Sequence, residues 1–348
     1  MHTGKRVEPR TPRSRCMLAQ RLSLALERRI VNLPESGKIA VISPDASADL
    51  SALPHERTEV VSRSLRVHRA FTESGFRVLA VPEGPYAMAI LSLPRAKAAA
   101  QAALAEIVPV TCGPTVIDGQ KADGVESLQR ELGQRAILGE VLVKAHGRMF
   151  AATNVDCAGW NAVPEQVARP KGGAYEIPPG AFSCDGIDPG SRALADALPD
   201  RMDGHVVDLG SGWGYLADAV LDRVGVASVD LVEDDLAALE ASQANLDDVR
   251  ARFHWADALT FRPDPLADHV VTNPPFHAGR SADASIGQGF IRASARMLTR
   301  KGALWLVANR HLPYEKTLVE FFRDVRALGQ HAEYKLFKAT RPRPIRKR

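Results

Sequence analysis

The sequence predicts an α/β protein built from two tandem doubly wound sheets, and three observations carry that prediction. The chain has 348 residues, about twice the usual single-domain length, so two cores are expected. Through its second half, short apolar runs alternate with helical segments, the pattern of parallel strands joined by crossover helices. A fainter copy of the same alternation runs through the first half.

In the second half, His205-Val-Val-Asp208 reads as a strand that enters a glycine turn and then a helix over 215–224. Ala227 to Val232 is a second strand and Asp235 to Leu246 a second helix. Phe253 to Trp255, His269 to Thr272 and Ala303 to Ala308 are further strands. A helix from Gln288 to Thr299 leads into the last of these through a turn at 300–302. Tyr334 to Thr340 closes the sheet.

In the first half, apolar residues at 18, 22, 26, 30 and 33 form the stripe of an amphipathic helix over 17–33. Strands follow at 38–42, 58–61, 77–80 and 87–91. An alanine-rich helix at 95–107, a strand at 116–118, a helix over 123–133 and an apolar run at 140–143 complete the half. Ile39-Ala-Val-Ile-Ser-Pro aligns with Val206-Val-Asp-Leu-Gly-Ser, and Ala89 to Arg95 falls where Val270 to Phe276 falls. The first half therefore reads as a duplicate that lost its ligand residues. Residues 152–180 hold four prolines and four glycines and read as linker and loop.

Charge is concentrated at the ends. The net charge is +4, yet residues 1–16 carry +4 and residues 335–348 carry +7, which leaves 17–334 at −7. The expected division is a disordered basic tail at 1–16, a first domain at 17–165, a second at 166–340 and a basic tail at 341–348. The last segment, Arg341 to Arg348, is suited to polyphosphate. Cys16, Cys112, Cys157 and Cys184 form no CxxC pair, which argues against a zinc site or a disulfide framework and suits a reducing cytoplasm. Gln20, Arg21, Ser23 and Glu27 interrupt the early apolar stretch, and no apolar run reaches membrane-spanning length. No membrane and no metal are expected, and a monomer suffices.

The chemistry is carried by strand ends. Val206-Val-Asp-Leu-Gly-Ser-Gly-Trp-Gly-Tyr215 places Gly210, Gly212 and Gly214 where the backbone must pass close to a ligand. The spacing is G-x-G-x-G, and Tyr215 occupies the third position of the G-x-G-x-x-G dinucleotide fingerprint. With Asp208 at the strand end, the turn suits a ligand bearing a cationic amino-acid portion, as S-adenosylmethionine does. Glu233, nineteen residues beyond Gly214, is placed to accept from ribose hydroxyls, and Asp257 from an adenine amino group.

Thr272-Asn-Pro-Pro-Phe-His277 follows the fourth strand. Pro274 and Pro275 stiffen that turn. The Asn273 oxygen and the Pro274 carbonyl are suited to accept both hydrogens of an exocyclic amine, turning its lone pair toward a methyl donor. Phe276 offers a face for a flipped base. His277 either meets base or phosphate or is structural.

These motifs resemble the ribosomal RNA guanine-N2 methyltransferases of the C-type small-subunit family and the related G-type enzyme of the large subunit. The resemblance rests on Ile177 to Ser191, Asp208 to Gly214, Asn273 to His277, Val307 to Tyr314 and Tyr334 to Lys338. It implies two tandem class I methyltransferase (Rossmann-like) domains, the N-terminal one degenerate and ending with Ile137 to Phe150. It implies S-adenosyl-L-methionine as cofactor, a guanine N2 in ribosomal RNA or a ribosomal subunit as target, and closure of the 182–191 segment near the cofactor. The first domain then serves substrate recognition or support. Asn-Pro-Pro-Phe is shared with adenine-N6 and protein glutamine-N5 methyltransferases, which stand as the alternative enzyme. A non-catalytic RNA-binding assembly factor is the alternative outside enzymology.

Overall fold

The computed structural model describes residues 17–160, 163–183, 186–275, 277–278, 281–282, 284–330 and 333–344. At 277–278 and 281–282 it describes the backbone alone. The expected tail at 1–16, residues 345–348 of the tail expected at 341–348, Cys184 and Phe276 lie outside the described residues. The chain divides into two units, 1–162 and 163–348.

The first unit contains α1 (Met17–Glu27), β1 (Lys38–Ile42), β2 (Thr58–Val61), α2 (Leu65–Glu73), β3 (Arg77–Leu79), β4 (Tyr86–Ser92) and α3 (Lys97–Ile107). It continues with β5 (Thr115–Gln120), α4 (Val125–Leu132), β6 (Ile137–Leu138), β7 (Leu142–Lys144) and β8 (Gly147–Thr153). The sheet runs β3-β2-β1-β4-β5-β8-β6, with β7 also paired to β8. The amphipathic helix stops at Glu27 rather than 33, because Arg29 turns left-handed (φ 57°) and the Ile30 N–H reaches back to the Ala25 carbonyl at 2.9 Å. Val31 still packs in the core beneath α1, beside Leu18 and Leu22.

The second unit opens with β9 (Glu165–Ala168) and β10 (Ala174–Ile177), followed by α5 (Pro189–Ala197), β11 (Arg201–Leu209), α6 (Tyr215–Leu221), β12 (Val224–Glu233) and α7 (Leu236–Asn245). Then come β13 (Ala251–Trp255), β14 (Ala267–Thr272), β15 (His277–Ala278), β16 (Ser281–Ala282), α8 (Ala284–Met297), β17 (Leu298–Asn309), α9 (Glu315–Phe321), β18 (Phe322–Gln330) and β19 (Tyr334–Pro342). The main sheet runs β13-β12-β11-β14-β17-β19-β18, parallel except at β19. Its strand order repeats that of the first unit position for position: β1 and β11 are both central, and β4 and β14 both lie beside them. The alignment of Ile39 with Val206 therefore corresponds to a real equivalence of strands.

Three expectations change. The expected linker at 152–180 contains the antiparallel β9–β10 hairpin, whose alternating pattern buries Tyr175 and Ile177 while Gly172 and Gly173 make the turn at positive φ. The turn expected at 300–302 falls inside β17 as a break in register, Ala267 facing Leu298 and His269 facing Ala303, which leaves three more residues on β17 than on β14. β18 and the two residues Arg341 and Pro342 extend the sheet beyond the strand expected at 334–340.

The central strands are covered on both faces, so they read as unbroken apolar runs. Val206, Val229 and Leu231 pack with α5 and α6 on one face, and Val207, Val232 and Val270 with α8 on the other. Each such fully buried Val or Leu stabilises the fold by roughly 1.5–3 kcal/mol. Sequence order reverses across β11, with β12 on one side and β14 on the other. The crevice at its carboxyl end is the place where such sheets take ligands.

Candidate active site

Asp208, the 210–214 turn, Glu233 and Asn273 converge on that crevice because parallel register sets their strands level. Asp208 pairs with Leu231 and with Val271, and Leu209 with Val232. The N–H groups of Gly210 and Ser211 donate to the Val232 carbonyl at 2.9 and 3.1 Å, carrying the chain across β12 before α6 begins. Gly212 sits at φ 53°, and a Cβ on it would meet no protein atom within 4 Å. Its side therefore faces open crevice, where a ligand can lie against the backbone. Gly214 is glycine for packing, since a Cβ there would stand 3.1 Å from Ser242 and Leu246.

Glu233 fastens this turn. One carboxylate oxygen accepts the Gly212 N–H at 2.8 Å, and the other accepts those of Asp234 and Asp235 at 2.9 and 3.0 Å. Burial raises its pKa against those three donors. A carboxylate has about four lone-pair sites, so three backbone bonds leave capacity for a ribose hydroxyl. Asp257 holds its own turn, accepting from the Leu259 N–H at 2.8 Å.

Trp213 and Asn245 were not singled out in the sequence. The Asn245 amide donates to the carbonyls of Trp213 and Glu176, both at 3.0 Å, and accepts the Glu176 N–H at 2.8 Å. Trp213 Nε1 donates to the Phe182 carbonyl at 3.0 Å. The glycine turn is thus tied to the β9–β10 hairpin and to the 182–191 segment. A tryptophan between two turn glycines was the one available signal.

Asp208 is fully buried, and neither oxygen makes a hydrogen bond of ordinary geometry among the described residues. Burial pushes its pKa up to about 8, against the pull of the Ala217 N–H and with help from the Glu233 charge. A buried carboxylate with so little hydrogen bonding from the protein fits a ligand that brings a cationic ammonium. The turn backbone, Glu233 and Asp208 together fit S-adenosylmethionine. The proton-bound form is the favoured folded state, so stability falls as pH rises from the ordinary carboxylate range toward 8. Asp208→Asn removes that penalty. The melting temperature of the ligand-free variant should gain on wild type progressively between pH 4 and 8, while cofactor affinity falls. A pH-independent difference in scanning calorimetry would refute the assignment.

At the fourth strand, Thr272 Oγ1 donates to the Leu209 carbonyl at 2.7 Å and locks β14 to β11. Asn273 follows, and its Nδ2 donates to Asp188 Oδ2 at 2.9 Å and to Ser191 Oγ at 2.8 Å. Asp188 also caps α5, accepting the Ser191 N–H at 2.6 Å. An ionised carboxylate only accepts, so the amide nitrogen belongs on that side. Both amide hydrogens are then used, and Oδ1 is left as a pure acceptor. Tyr334 packs against Gly190 beside this cap. Phe276 lies outside the described residues, and only the backbone of His277 is described, in a short hairpin with β16.

A sheet of this order, with a cofactor turn after its central strand and Asn-Pro-Pro after the next, defines a class I S-adenosylmethionine-dependent methyltransferase. A family model described as "Methyltransferase small domain" matches residues 175–338. The "Ribosomal RNA small subunit methyltransferase C" of Hahella chejuensis (strain KCTC 2396) is 30% identical over 339 residues, covering 88% of this chain and 95% of that protein. The protein of the same name from Shewanella sp. (strain MR-4) is 31% identical over 238 residues, covering 66% of this chain and 69% of that one. Among solved structures, the T. thermophilus 16S rRNA N2 G1207 methyltransferase (RsmC), in complex with AdoMet and guanosine, superposes with a TM-score of 0.77. It is 29% identical, covering 89% of this chain and 90% of that one. The chain belongs to the ribosomal RNA small subunit methyltransferase C family.

Proposed function

We propose that this protein methylates the exocyclic N2 of a guanine in small-subunit ribosomal RNA, using S-adenosylmethionine. The observation that carries the reading is the orientation of Asn273. With Nδ2 held by Asp188 and Ser191, only an acceptor faces the substrate, and an acceptor selects an amine. Asn273 Oδ1 and the Pro274 carbonyl take the two amino hydrogens and favour positive charge developing on N2. S-adenosylmethionine supplies an electrophilic methyl group on its sulfonium. The amine nitrogen forms the new bond to that carbon, the sulfur departs with the old bonding pair, and the surplus proton passes to water.

Membership of the C-type family favours guanine over adenine or glutamine. The partner is then ribosomal RNA or a ribosomal subunit in the cytoplasm, approached by a monomer. Among the described residues no helix is long and apolar enough to cross a membrane. The test is nucleoside mass spectrometry on each ribosomal RNA from a strain lacking the gene, beside its parent. Loss of N2-methylguanosine from small-subunit RNA is expected. An unchanged level there would overturn the reading, and loss of N6-methyladenosine instead would move the target to adenine.

The Asp188 clamp makes a separate prediction. Asp188→Asn keeps an acceptor for the helix cap but lets the Asn273 amide turn over, so kcat should fall toward the ~10²-fold that small misplacements cost. KM and cofactor affinity should hold. A variant with full kcat would remove Asp188 from the positioning of Asn273.

A further inference from the structure

Away from the crevice, the outer strands of the second sheet carry a basic groove. Arg326 on β18 stands directly opposite Lys338 on β19, and Asp324 stands opposite Thr340. These four side chains line a cavity of about 240 Å³. Lys338 Nζ lies over the ring of Trp305, 4.4 Å from its centroid. Like charges directly opposite one another destabilise a strand pair, so the Arg326–Lys338 pair works against the sheet it belongs to.

The carboxylate in the groove bonds Arg341 and only secondarily offsets the charge of Arg326. Asp324 is held by Arg341, through Nη2 at 2.6 Å and a second, shorter bond from Nε. Arg341 adopts φ 57°, a left-handed conformation that is strained for a side-chain-bearing residue. Arg341 and Arg326 both act on that carboxylate, and Arg341 does so from a left-handed backbone. Beyond Pro342 the chain continues with Arg343, Arg346, Lys347 and Arg348.

The groove lies on the same sheet as the transfer residues. Lys338 is level with Trp305, which is level with Val271, two residues before Asn273. At about 3.3 Å per residue and 4.8 Å per strand, Lys338 sits roughly 12 Å from Asn273.

We propose that the β18–β19 groove is a binding site for a phosphodiester of the substrate RNA, a few nucleotides from the target guanine. The inference rests on RNA being the substrate. A phosphate oxygen between Arg326 and Lys338 turns their mutual repulsion into shared attraction, beside the Thr340 hydroxyl, which donates to Asp324 Oδ2 at 3.4 Å. The basic residues that follow in the sequence add positive charge for the same RNA backbone.

The test uses the full chain with Arg326→Gln and Lys338→Gln combined, and Lys338→Met alone, which keeps the apolar stem against Trp305. Affinity for small-subunit ribosomal RNA is measured across a salt series, beside cofactor affinity and melting temperature. Removing one phosphate interaction lowers the slope of log affinity against log salt by about 0.7–0.9. The double variant should lose a slope of about one or more and at least tenfold in affinity at low salt, with cofactor affinity unchanged and melting temperature equal or higher. An unchanged slope in both variants would overturn the groove while leaving the RNA reading intact. Wild type without salt-dependent RNA binding would overturn the RNA reading itself.

Discussion

Asn273→Ala lowers the rate of methyl transfer by about 10²- to 10³-fold while cofactor affinity stays within a factor of two or so of wild type. The expectation follows from where the side chain is anchored. Its nitrogen is bound to Asp188 and Ser191, on the α5 side, and its oxygen is the part left for substrate. The cofactor turn hangs on other groups, the Val232 carbonyl and the Glu233 carboxylate. Truncation at 273 therefore removes an acceptor that strengthens as the amine gains positive charge, and leaves the turn standing. Single-turnover transfer and calorimetric cofactor titration separate the two quantities. Equal loss of both would mean that Asn273 supports the cofactor site instead.

Gly212→Val acts on the opposite quantity. At φ 53° a β-branched residue is disfavoured, and left-handed backbone alone costs about 1–2 kcal/mol. The new side chain would meet no protein atom, because the space beside Gly212 is open crevice. The variant should fold, with a melting temperature a few degrees lower, yet lose cofactor affinity by about 10²-fold or more as the valine occupies ligand space. Ordinary binding by a folded Gly212→Val protein would show that the ligand does not pass this turn.

Strand ends were the legible part of the sequence. Asp208, Gly210, Gly212, Gly214, Glu233 and Asn273 each followed a short apolar run, and parallel register brings those run ends to one edge. Helix and strand centres were legible for the same reason, since both faces of the sheet are buried. Three kinds of feature were not. The β9–β10 hairpin hid in a stretch rich in glycine and proline, where only Tyr175 and Ile177 alternate inward. The extent of β17 was hidden, because Arg300, Lys301 and Gly302 carry turn chemistry where the register breaks. The contact between Asp188 and Asn273 joins residues 85 apart in the chain. No local pattern encodes it.

The capping carboxylate of α5 has a consequence for anyone who would engineer this enzyme. Asp188 serves the first turn of a helix and the aim of the transfer amide with the same oxygen. A substitution there that spares the helix cap, as Asp188→Asn does, still costs turnover, because both functions pass through one atom. Directed evolution for heat tolerance should leave position 188 untouched and draw its gains from surface positions such as Val224 and Val249, which lie 59% and 102% exposed.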